Sequence, residues 1–113
     1  MPRYEDFYEL IDEENSTVAN VTYNGVKGLQ VTSKKNGNSI FLPASGWCCE
    51  SLYYAVGIYG NYWSSSLNST DPTNAYDMYF NNNGNVNPNN NTNRYNGFPI
   101  RPVFSAYYIF LLI

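Results

Sequence analysis

The chain has no histidine. Without an imidazole, Ser-His-Asp and Cys-His nucleophile pairs, His general bases, imidazole pH switches and most zinc sites are excluded. Charge is scarce too. Six Lys and Arg stand against nine Asp and Glu in 113 residues, net −3, about half the usual charged share. Six scattered cations do not make the clustered basic patch that phosphate-driven binding takes, so no nucleic acid is expected as a partner. The only cysteines are Cys48 and Cys49. Adjacent cysteines bridge each other only with strain, and no other thiol or imidazole is present to complete a redox or metal site, so they read as two small half-buried side chains. No apolar run approaches the about 20 residues of a membrane-crossing helix. Met1 to Leu10 is acidic and lacks an apolar signal-peptide core.

What the chain has in quantity is tyrosine, at 12, and asparagine, at 18. Its length fits one domain spanning residues 1–113. Tyr4, Phe7, Tyr8 and Ile11 recur at helical spacing with Leu10 beside them, predicting an N-terminal helix. Pro2 suits its first turn, and Glu5 and Asp6 suit the positive end of its dipole. Glu9, Asp12, Glu13 and Glu14 read as its wet face. Asn15 to Gly28 reads as a loop with a short extended piece at Val18 to Tyr23. Gly28 to Ser33 and Ser39 to Leu42 then form a hairpin, turned by Lys34 to Asn38 with Asn36-Gly37 as the left-handed pair. Ala44 to Gly60 is loop-like, anchored by Trp47, Leu52, Tyr53, Tyr54, Ile58 and Tyr59. Tyr62 to Ser66 is a short strand. Ala75 to Phe80 alternates clearly, with Tyr76, Met78 and Phe80 on one face and Ala75, Asp77 and Tyr79 on the other. Phe98 to Phe104 is a last strand, with Phe98 and Ile100 inward, and Pro99 and Pro102 make it an edge strand or an interrupted one. Tyr4, Tyr8 and Tyr23 are expected in the core. Tyr76, Tyr79 and Tyr95 are expected on the surface, and Tyr53, Tyr54, Tyr59 and Tyr62 are open between the two.

Composition changes near residue 61. Residues 1–60 hold five asparagines and residues 61–96 hold thirteen. The run from Asn81 to Asn93 is a low-complexity tract. By composition it reads as a long loop, a loose hairpin or an aggregation-prone segment. Its framing is more informative. Gly60-Asn61-Tyr62-Trp63-Ser64-Ser65-Ser66 precedes it, and Arg94-Tyr95-Asn96-Gly97-Phe98-Pro99-Ile100-Arg101-Pro102-Val103 follows it.

Those two motifs, with Thr32 to Gly46 and the opening Met1 to Leu10, resemble the Fibrobacter succinogenes major paralogous domain of Bacteroidetes surface proteins. The resemblance implies an α+β, C-type-lectin-like (formylglycine-generating-enzyme-like) fold with small antiparallel sheets, an N-terminal helix and long irregular loops. The Asn-rich half resembles the variable region of proteins diversified by retroelements that misread template adenines. Asn codons carry adenine at their first two positions, so substitution there reaches Tyr, Ser, Thr, Asp and Gly without giving a stop. By that resemblance residues 61–103 are a variable ligand-binding region. Trp63, Ala75, Met78, Phe80, Gly97, Phe98, Ile100, Arg101, Pro102 and Val103 are its scaffold. The implied contact residues are Tyr62, Ser64, Ser66, Asn68, Asp71, Asn74, Tyr76, Asp77, Tyr79, Asn81, Asn82, Asn83, Asn85, Asn87, Asn89, Asn90, Asn91, Thr92 and Tyr95. Tyr with Asn and Ser is also the set that binding loops favour, large rigid area beside adaptable hydrogen bonding.

The expected function is a ligand-binding surface or receptor-binding protein, not an enzyme, on a cell surface or virion. Its partner is a protein or glycan, and a template repeat and reverse-transcriptase gene are expected at the locus. A non-diversified adhesive module of a surface protein is the alternative. An oxidase of the sulfatase-modifying kind is a rival from another class, with Cys48-Cys49 as its candidate pair. Glu50, Asp71 and Asp77 show no glycosidase spacing. Asp71 and Asp77 with Asn carbonyls suggest calcium, but the dense carboxylate set is lacking, so no metal and no cofactor is expected. The resemblance also implies a strand before Met1. The apolar tail Phe104 to Ile113 is expected to pair back into the sheet in its place, with packing against another subunit or a non-native extension as the alternatives.

Overall fold

The computed structural model describes residues 1–101. Along the chain lie helix α1 (Tyr4–Ile11) and strands β1 (Ser16–Tyr23), β2 (Val26–Ser33), β3 (Ser39–Pro43), β4 (Trp47–Cys49), β5 (Leu52–Tyr54), β6 (Tyr59–Leu67), β7 (Asn74–Asn81) and β8 (Val86–Asn93). They form three antiparallel sheets, β1-β2-β3, β4-β5 and β6-β7-β8, each ordered as in the sequence. The α+β class is therefore corrected to a mainly antiparallel β domain with one short helix. The long irregular loops expected in the Asn-rich half are replaced by a three-stranded meander.

Helix α1 forms where its periodicity places it. Asp6 closes the first turn, accepting hydrogen bonds from the Arg3 backbone N–H at 2.9 Å and the Arg3 guanidinium at 3.2 Å. Phe7 and Leu10 are buried. Tyr8 is half exposed and packs edge-on against Tyr4. An eight-residue helix buries only a narrow stripe, so the expectation of a buried Tyr8 fails. Tyr23 is exposed as well, lying beside Phe41 on the outer face of its sheet.

Asn15 to Gly28 is not a loop. It supplies all of β1 and the start of β2, joined by Asn24 (φ 50°) and Gly25 (φ 80°). Two successive positive φ values give the hairpin turn whose twist matches the strands. A Cβ on Gly25 would meet no atom within 4 Å, so only the backbone opposes it. Gly25→Ala is expected to cost about 1 kcal/mol in urea unfolding, and an unchanged midpoint would contradict this turn. In the β2–β3 turn only Gly37 is left-handed (φ 77°). Asn36 instead accepts the Asn38 N–H on its side chain, at 2.9 Å.

Leu29, Val31 and Leu42 face inward from the first sheet, meeting Tyr62, Met78 and Phe80 from β6 and β7. Phe7, Leu10 and Ala44 complete this core, with α1 packed against β7 and β8. A bulge in β6 between Trp63 and Leu67 ties in the N-terminus. The Ser65 N–H donates to the Pro2 carbonyl at 2.8 Å, and the Tyr4 N–H donates to Ser66 Oγ at 3.0 Å. The last strand expected at Phe98 to Phe104 is absent over residues 98–101, which run without regular pairing. Its remaining residues, and the tail expected to pair back, lie outside the described residues.

Candidate functional site

Strand alternation gives the β6-β7-β8 sheet two unlike faces. Tyr62, Met78 and Phe80 point into the core. On the other face Asn61 stands opposite Tyr79, and Asp77 lies between Trp63 and Asn90. Tyr79 and Asn90 are expected contact residues that do share one surface with Thr92.

Trp47 from β4 and Tyr59 from β6 rise beside that face. Their rings stack at 5.8 Å, Tyr54 stacks on Trp47 at 5.6 Å, and Tyr79 leans on Tyr59 at 5.5 Å. Tyr95 and Phe98 close the opposite side, Phe98 resting on Trp63 at 4.4 Å. The result is an open cleft of about 470 Å³, aromatic on its walls and floored by Asn61, Asn90 and Thr92.

Asp77 lies beneath the floor with 0% of its surface exposed. Its carboxylate accepts from Thr92 Oγ1 at 2.7 Å, Asn61 Nδ2 at 2.9 Å and Asn90 Nδ2 at 3.4 Å. Burial pushes its pKa above the ordinary carboxylate value, and these hydrogen bonds pull it partly back. Because a carboxylate only accepts, it turns the Asn61 and Asn90 amide nitrogens toward itself. Asn90 Nδ2 also donates to Thr92 Oγ1 at 3.0 Å. The floor groups thus spend their donors downward.

Five expected contact residues are buried, a correction to their place on the ligand surface: Tyr62, Ser64, Asn68, Asp77 and Asn81. Each is held by a specific bond. The Tyr62 hydroxyl donates to the Pro43 carbonyl at 2.8 Å, and burial raises its pKa to about 12. Ser64 Oγ donates to the Tyr76 carbonyl. Asn68 Oδ1 gathers the N–H groups of Thr70 and Asp71, while its amide donates to Asn91. Asn81 Oδ1 takes the Asn83 and Asn85 N–H groups, shaping the β7–β8 turn.

Ser66, Asp71, Asn74, Tyr76, Asn89, Asn90, Thr92 and Tyr79 are half-buried. Ser66 serves the N-terminal latch, and Tyr76 packs on Tyr4. Asp71 caps its own turn, where the Thr73 hydroxyl and N–H hold its carboxyl below the ordinary value. No trio of His, Cys, Asp or Glu clusters among the described residues. Asn82, Asn83, Asn85, Asn87, Asn91 and Tyr95 are exposed. Of the expected scaffold, Gly97, Ile100 and Arg101 are exposed, so they do not frame a core.

Trp47, Tyr59, Asn61, Asn96 and Phe98 line the cleft without having been expected as contacts. The signal for two of them was present: Tyr59, Asn61 and Trp63 alternate with Gly60 and Tyr62, which places them on the face opposite the core. Cys48 and Cys49 are free and half-buried, and Cys48 pairs its backbone with Gly97. None of the described helices is long and apolar enough to cross a membrane.

No curated protein and no solved structure matches the chain. Residues 9–103 match the family model described as a domain of unknown function, DUF8237, and the chain belongs to that family.

Proposed function

We propose that this chain is a ligand-binding protein of a cell surface or virion, displaying the outer face of the β6-β7-β8 sheet and the β7–β8 turn to a protein or glycan partner. One observation carries the reading. Tyr79, Asn90, Thr92 and Tyr95 converge with Trp47 and Tyr59 on a single open cleft, while Met78 and Phe80 of the same meander are sealed in the core. The frame and the display are thereby separated on alternate positions of the same strands.

The resemblance to the Fibrobacter succinogenes major domain and to retroelement-diversified regions supports a variable display. Asn82, Asn83, Asn85, Asn87 and Tyr95 are the positions free to change, since they face solvent. Asn68, Asp77 and Asn81 are not, since their side chains hold the backbone or the floor. Neighbouring DNA tests this: a near-copy of the coding stretch with adenines at the first group of codons, beside a reverse-transcriptase gene, is expected. A locus with neither leaves a fixed adhesive module.

Replacing Asn83, Asn87 and Tyr95 together by Ala is expected to move unfolding stability by no more than about 0.5 kcal/mol per site and to abolish partner capture on whole cells. A large stability loss, or capture that survives, counts against the reading.

A further inference from the structure

We propose that the cleft receives a basic side chain, the ammonium of a lysine or the guanidinium of an arginine, presented by a partner protein. This rests on the ligand-display reading and adds the chemistry of what is bound.

Three features point this way. The first is the floor. Asn90 spends its amide hydrogens on Asp77 and Thr92, and Thr92 spends its hydroxyl hydrogen on Asp77. Asn61 spends one of its own on Asp77. What remains toward the cleft is mainly acceptors, the Oδ1 atoms of Asn61 and Asn90. Neither is bonded by a donor among the described residues, and neither is among the sealed unpaired atoms. Such a floor suits a ligand rich in donors and poor in acceptors.

The second feature is charge. Among the described residues no cation lies against Asp77, which is buried under that floor, and no Lys or Arg lines the cleft. A buried carboxylate bonded only by neutral groups favours a positive charge arriving above it, and the net charge of −3 adds to the attraction.

The third is the state of the walls. Trp47 stacks with both Tyr54 and Tyr59, and Tyr79 tilts against Tyr59. Rings engaged with one another offer a sugar less open face than free-standing ones, although Tyr95 at the rim stays exposed. An aliphatic stem needs only apolar walls, and Lys and Arg carry one behind the charged head.

The test is an NMR titration of the full chain, following the Trp47 indole and the Asn61 and Asn90 side-chain amides. The probes are the blocked amides of lysine, arginine and norleucine, and methyl glucoside. The basic amides are expected to shift those signals, with norleucine amide and glucoside at least about tenfold weaker. Asp77→Asn keeps the shape and is expected to weaken the lysine probe about tenfold. Tyr95→Ala, at the exposed rim, removes a wall without touching the core and is expected to weaken it about threefold. It carries the test should Asp77→Asn fail to fold. Norleucine amide or glucoside binding as well as lysine, an indifferent Asp77→Asn, or silence from every probe overturns the cationic ligand. The display reading fails separately, on the triple alanine variant and the neighbouring DNA.

Discussion

A single methyl group on Gly60 is expected to destabilise the protein by about 3 kcal/mol, lowering its thermal midpoint by roughly 12 to 15 °C. Gly60 lies directly across the β6–β7 ladder from Phe80, and a Cβ there would overlap the Phe80 ring. That ring is 1% exposed and stacked on Tyr62 at 6.3 Å, so it has nowhere to retreat. Gly60 also bridges to Gly46, whose N–H donates to the Tyr59 carbonyl at 2.8 Å. Gly46 (φ 67°) could not carry a Cβ either, because the Tyr54 carbonyl fills that space. The close approach brings Trp47 alongside Tyr59, so the cleft wall depends on it. Calorimetry of Gly60→Ala, Phe80→Leu and the double variant checks the assignment. The double loss should fall short of the sum by more than about 1 kcal/mol. Simple additivity would mean the two residues do not compete for the same volume.

The second large effect belongs to Asp77, and its size depends on which replacement is made. Asp77→Ala leaves the Thr92 hydroxyl and the Asn61 and Asn90 amides without their acceptor, and about 2 kcal/mol should be lost at neutral pH. Asp77→Asn keeps one acceptor and removes the buried charge but sets an amide N–H against a donor that the second carboxylate oxygen satisfies in the unaltered chain, so its loss at neutral pH should be smaller than that of Asp77→Ala. The pH dependence follows from the raised pKa. In the window between the unfolded and the folded pKa, the folded chain holds a proton that the unfolded chain has released. Stability from that proton is complete below the unfolded value and is lost as pH rises through the folded one. Urea midpoints of the unaltered chain, compared with Asp77→Asn from pH 3 to pH 7, should therefore drift in favour of the variant as pH rises. Parallel curves would show that Asp77 titrates as an exposed carboxylate does.

Apolar periodicity made α1, the β2–β3 hairpin and the Met78 and Phe80 side of β7 legible, because in each the buried residues recur at the period of the element. The rest failed where burial is polar. β1 reads Ser-Thr-Val-Ala-Asn-Val-Thr-Tyr and shows no inward apolar row, so its Asn24-Gly25 turn went unrecognised. Composition leaves the Asn tract open between a long loop, a loose hairpin and an aggregation-prone segment, whereas Val86–Asn93 pairs along β7, with Thr92 and Asn90 reaching Asp77 and α1 packed over the strand. Asp77, Asn68 and Asn81 belong to residue types that ordinarily stay in water, and nothing in a single sequence announces the donors that let them leave it. The cleft was legible only in part. Tyr79, Asn90, Thr92 and Tyr95 were expected as contacts, whereas Trp47 comes from a distant segment brought alongside by backbone contact at Gly46.

Pro88 and Asn89 together stand opposite Met78, a bulge in the β7–β8 ladder. Asn87 therefore shares a face with Asn90, three positions on, where strict alternation would have put Asn89 and Asn91 there. Beyond the bulge the parity of the strand is set: Asn90 and Thr92 over Asp77, Asn91 and Asn93 turned away. Exchanging one side chain for another leaves that parity untouched. Losing or gaining one residue between Asn87 and Asn90 reverses it for every residue that follows, carrying Asn90 and Thr92 to the wrong side of the sheet. The tract is permissive in what it spells and strict in how many letters it uses.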